Sequence, residues 1–115
     1  MAGQLREVNI KSDMPTASDA IKRVTYNIHS AKSLGFSAIK IIHGYGSTGK
    51  GGIIRTETRR YLKQQKDKRV IKDFIPGENF SIFNEETRNA FQVCDELRRD
   101  SDLERSNNGV TIVII

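Results

Sequence analysis

The stretch Ala38-Ile39-Lys40-Ile41-Ile42-His43-Gly44-Tyr45-Gly46-Ser47-Thr48-Gly49-Lys50-Gly51-Gly52-Ile53-Ile54-Arg55 leaves this chain few ways to fold. A short β-branched run stops at a histidine, passes through a loop with five glycines in nine residues, and re-emerges as an amphipathic basic segment. That order predicts a strand, a loop and a helix. Glycines admit positive φ and leave no Cβ in a ligand's way, so successive amide N–H groups can converge on an anion beside a helix N-terminus. Function is expected there.

Charge along the chain sharpens the expectation. Residues 40–72 hold ten basic and two acidic side chains, a net +8, whereas residues 73–115 hold four and nine, a net −5. A positive field concentrated on the loop and its helix suits a polyanion, with affinity that is largely electrostatic and salt-dependent. The competing reading is a solvated helix face. A length of 115 residues fits one domain, and 37% apolar residues suffice for a modest core. With a single cysteine, no apolar run near the length of a membrane span and no secretory leader, a cytoplasmic protein that does not enter a membrane is expected.

In chain order, residues 1–7 carry no pattern and are expected to be loose, with a single domain over 8–115. Val8-Asn9-Ile10 reads as a first strand. Pro15 stops it, and Thr16-Ala17-Ser18-Asp19 has the form of a capping box. The helix that follows has Ala17, Ala20, Ile21, Val24, Ile28 and Ala31 on one face and Gly35 as its stop; His29 lies off that face. Ala38–Ile42 is the second strand. After the loop, a helix over about 52–65 has an inward stripe of Ile54, Thr58, Tyr61 and Leu62 beside a basic stripe of Arg55, Arg59, Lys63 and Lys66, spaced to follow a phosphate backbone. Arg69–Ile75 reads as a third strand ended by Pro76-Gly77. Asn84 caps an expected helix over 85–104, acidic outside, with Ala90, Phe91, Cys94 and Leu97 inside. Val110–Ile115 is β-branched throughout, as in a strand covered on both faces. These elements predict a two-layer α/β sandwich with a mixed sheet of four or five strands, in the order strand, helix, strand, helix, strand, extra helix, strand.

Ile41-Ile42-His43-Gly44-Tyr45-Gly46, then Gly52-Ile53-Ile54-Arg55 and Tyr61-Leu62-Lys63, together resemble the strand–turn–helix signature of the Smr (small MutS-related) domain family. Asn108-Gly109-Val110-Thr111-Ile112-Val113-Ile114 is similar to that family's closing strand, and Val8 to Leu34 have the order of its first strand and helix. The resemblance implies binding to DNA or RNA, since the family includes nucleases and domains that sense branched or stalled nucleic-acid complexes. The phosphate contacts it implies fall on Gly44, Tyr45, Gly46, Ser47, Thr48, Gly49, Lys50, Arg55, Arg59 and Lys63.

Family members usually end the first strand with L-D-L-H-G, whose Asp and His are associated with cleavage, but Asn9 and Lys11 stand there in this chain. Neither is a general base near neutral pH, so a weak or lost endonuclease is expected. His43 is left as the one acid–base candidate, and equally as a strand-closing residue. A divalent cation, magnesium or manganese, is expected only if the chain cleaves phosphodiesters. Two alternatives stay open. Gly44-x-x-x-x-Gly49-Lys50 is nearly a nucleotide-binding P-loop, although Gly51 stands where a magnesium-holding Ser or Thr belongs. The acidic 85–104 segment also suits a protein partner, in which case the chain is an interaction module.

Overall fold

A computed structural model describes residues 3–13, 15–44 and 50–115, with Lys50 and Gly51 placed only as helix backbone. Among the described residues, four strands and three helices follow in the order β1 (Leu5–Asn9), α1 (Ala17–Leu34), β2 (Ala38–Ile42), α2 (Lys50–Asp67), β3 (Asp73–Pro76), α3 (Glu85–Val93) and β4 (Val110–Ile114). Short 3-10 turns occupy Gly77–Asn79 and Asp95–Arg99. The sheet is mixed, in the order β1-β2-β4-β3, with β1 and β2 parallel and β4 antiparallel to both of its neighbours. This is the α/β fold with a mixed sheet that the sequence predicts, at four strands, the lower of the two numbers expected.

Register decides what meets at each edge. Asn9 stands opposite Ile42, Ile42 opposite Val110, and Thr111 opposite Pro76. One end of the sheet therefore gathers the exits of β1, β2 and β3 and the entry to β4.

The caps form where local chemistry places them. Thr16 Oγ1 accepts the Asp19 N–H at 3.1 Å to start α1, and Gly35 closes it at φ +82°, a left-handed conformation that favours glycine. Asn84 caps α3 by accepting the Thr87 N–H at 2.9 Å. Between α1, α2 and the sheet lies a core that includes Val24, Ile28, Ile39, Ile41, Ile54, Leu62 and Val113. A second core, with Ile75, Phe80, Phe91, Cys94, Leu97 and Ile112, fills the opposite face. The inserted segment thus adds a cover to the sheet, and all five residues of β4 are buried.

Three boundaries differ from expectation. Residues 5–7 are not loose: they extend β1 against Ala38–Lys40, and the Leu5 N–H bonds the Glu96 carboxylate at 2.8 Å. Backbone pairing recruits a segment whose side chains give no alternating signal. The third strand is confined to Asp73–Pro76, because Arg69 adopts φ +62° and closes α2 with bonds from Arg69 and Val70 back to Lys66 and Gln65. Here an arginine takes the place that glycine usually fills. The expected helix over 85–104 ends at Val93, since Cys94 is extended at φ −145°. The reason lies across the core. Lys40, 4% exposed on the second face of β2, requires carboxylates, and turns after Arg99 bring Asp100 to 3.0 Å and Asp102 into an ion pair with it. Burial alone would lower the Lys40 pKa, but bonds to Asp102 and Asp100 raise it, so the lysine stays charged. A continuous helix could not present both acids to one ammonium group.

Candidate nucleic-acid interface

At the gathered sheet end, β1 turns away after Asn9, whose Oδ1 accepts the Lys11 N–H at 2.9 Å. Arg23 of α1 holds this turn by donating to Ser12 O at 2.7 Å. The Lys11 side chain lies over Gly44, where a Cβ would stand 3.3 Å from Lys11 Cδ. Gly44 has φ +84°, so any other residue would be strained as well as crowded. Lys11, just past the end of β1, and Gly44, just past the end of β2, therefore meet.

The His43 and Gly44 N–H groups both donate to Gly109 O, at 3.0 and 2.9 Å. These first two amides staple the loop to the turn before β4 and are not offered to an anion. His43 itself is fully buried. Its Nδ1 lies 3.0 Å from Gly44 O, which can only accept, so Nδ1 carries the proton; Nε2, 2.8 Å from Thr111 Oγ1, then accepts from that hydroxyl. Burial, with Arg59 and Arg55 nearby, lowers the His43 pKa to about 4, although the Gly44 bond opposes the shift. The imidazole is neutral at physiological pH.

Thr111 Oγ1 in turn accepts Arg59 Nε at 3.2 Å. Arg59 reaches two carbonyls, Asn108 O and Val110 O, at 3.4 Å each, and spans both Glu78 oxygens at 2.7 Å. Burial would raise the Glu78 pKa, but its bonds to Arg59 hold it below the usual carboxylate range. Arg55 bears electrostatically on both His43 and Glu78. The expected basic stripe thus divides. Arg59 turns into the sheet edge, Lys63 is exposed with Asp67 3.6 Å away, and Lys66 pairs with Asp73 at 3.0 Å. Tyr45, Gly46, Ser47, Thr48 and Gly49 lie outside the described residues, as does the Lys50 side chain. Thr111 and Glu78 were not singled out by sequence reasoning. Thr111 left one signal, being the sole polar residue in an otherwise aliphatic run; Glu78 left none, because its partner is distant in sequence.

The Smr domain family model matches residues 13–79, more than half of the chain, spanning α1, β2, the glycine loop and α2. The chain belongs to the Smr domain family. The crystal structure of the Smr domain of Thermus thermophilus MutS2 is similar to it at a TM-score of 0.58 and 20% identity, over 95% of each chain. No curated protein matches significantly. Smr domains generally bind nucleic acid, and some are endonucleases.

In this Smr domain the donors that a metal would need are committed elsewhere. Asn9 Oδ1 caps its own turn, both His43 nitrogens are bonded, and Glu78 is held by Arg59. Among the described residues no three His, Cys, Asp or Glu side chains are grouped to hold an ion. The described residues at this sheet end do not fit a divalent cation. No helix among them is long and apolar enough to cross a membrane.

Proposed function

We propose that this Smr domain binds the backbone of DNA or RNA at the sheet end where β1 and β2 stop side by side, with little or no phosphodiester cleavage. The observation that carries the reading is the meeting of Lys11 with Gly44, beside a His43 that feels the charge of Arg55 from α2, beyond the carboxyl ends of two parallel strands. Crevices at such ends are where open α/β sheets receive anionic ligands, and family membership supplies the polymer. Backbone contacts of this kind position a strand without reading its sequence.

Cleavage needs a base or a metal-activated water beside the scissile phosphate. Asn9 is neutral and engaged with its own turn, Lys11 is a cation, and His43 is enclosed with its Nε2 lone pair bonded to Thr111. In this reading His43 is a positioning residue that holds the start of the loop. Replacing Lys11 and Arg55 together with Ala tests the proposal: affinity for a labelled oligonucleotide should fall for every sequence, and the salt slope should flatten by about two counterion equivalents. An unchanged slope in a folded variant would place the footprint elsewhere.

A further inference from the structure

We propose that Arg59 is the centre of a phosphate site whose place the Glu78 carboxylate holds, so that nucleic acid engages Arg59 by displacing Glu78. The inference rests on the nucleic-acid reading above for its ligand, but its geometry is independent of it.

The two Glu78 oxygens take one N–H from each terminal nitrogen of Arg59, both at 2.7 Å. That forked arrangement is the one arginine also makes with phosphate, so the carboxylate marks where two phosphate oxygens would lie. Arg59 does not depend on Glu78 for its orientation. Its Nε is bonded to Thr111 Oγ1, and Nη2 also reaches Asn108 O and Val110 O, all from the sheet side. The fork is therefore aimed outward before any anion arrives.

Glu78 is the replaceable partner. Its side chain is 40% exposed against 21% for Arg59. Withdrawing the side chain leaves its turn in place, because Gly77 is buried against Asn107 and Val110, where a Cβ would fall 1.9 Å from Asn107 O, and Phe80 is buried in the second core. Arg55 bears on the same carboxylate, so a phosphate entering there would also meet the field of a second guanidinium. The site opens at the sheet end that holds Lys11 and Gly44. A phosphate run crossing that edge would meet Lys11 and Arg59 in succession.

A partly exposed ion pair holds its own closed state weakly, so the latch opens readily yet lowers apparent affinity by the closed fraction. In the intact chain, Glu78→Gln keeps the shape and removes the competing charge. It should bind an oligonucleotide roughly 3- to 10-fold more tightly, with a salt slope steeper by about one counterion equivalent, and Arg59→Ala in that background should abolish the gain. Equal or weaker binding by folded Glu78→Gln would show that Glu78 serves Arg59 rather than competes for it. The unaltered protein gives a second readout. On titration with inorganic phosphate, the Glu78 carboxylate carbon and the Arg59 Nε–H resonances should move together, and an unmoved Glu78 would overturn the latch. If phosphate displaces Glu78 while oligonucleotides bind neither protein, the anion site stands and the nucleic-acid reading fails; if oligonucleotides bind both proteins equally and Glu78 stays still, the reverse holds.

Discussion

His43 should make this protein lose stability in mildly acidic solution. Native His43 has its pKa lowered to about 4 by burial, against an ordinary value of 6.5. Between those values the unfolded chain takes up a proton that the native chain refuses, so stability falls as pH drops and is fully retained only above about 6.5. Over the whole interval the loss amounts to about 3 kcal/mol, and about 2 kcal/mol of it falls between pH 7 and pH 5. Glu78 and Asp102, also held below their ordinary values of 4.5 and 3.8, act in the same direction at lower pH. Burial would raise the Asp102 pKa, but bonds from Asn107 and Lys40 lower it. The pH 5–7 window therefore lies above these two carboxylates and reads His43. Urea unfolding at pH 7, 6 and 5 should show the decline in the parent and a much flatter profile in His43→Gln. Equal slopes in both proteins, or no slope in the parent, would show that the imidazole is not held neutral and enclosed.

Thr111→Val leaves His43 Nε2 without its donor and Arg59 Nε without its acceptor, so denaturant unfolding should register a loss of about 1–3 kcal/mol; a neutral change would mean that the relay is dispensable. Lys40→Met strands Asp100 and Asp102 in buried ground and should cost about 3–5 kcal/mol, partly recovered when both are also changed to Asn. In a gel assay with magnesium or manganese the parent should leave labelled DNA and RNA intact, and cleavage that survives His43→Ala would require a catalytic set without His43.

Much of the fold was legible because it rests on local chemistry. The Thr16 and Asn84 caps, the Gly35 stop and the aliphatic β4 each act within a few residues, and each stands where the sequence places it. What escaped depends on partners far along the chain. Leu5–Glu7 become a strand only because β2 and Glu96 are present to bond them, and α3 stops at Val93 in a segment whose later turns must reach Lys40, sixty residues upstream of Asp100. The site divides in the same way. The positive φ of Gly44 was legible in its residue type, whereas four-residue spacing placed Arg59 on one basic stripe with Arg55, Lys63 and Lys66 when Thr111 and the Asn108 and Val110 carbonyls draw it into the sheet edge. Helical periodicity tells which residues share a face, not which of them the neighbouring element will claim.

The nucleic-acid footprint on the sheet end is tested most directly by mapping amide resonances of the labelled protein as an oligonucleotide is added at low salt. Shifts should concentrate at Lys11 and Ser12, at His43 and Gly44, at Asn107 to Gly109 and along the first half of α2, all fading as salt is raised. Shifts confined to α3 and Asp95–Arg99, or none at all, would contradict it.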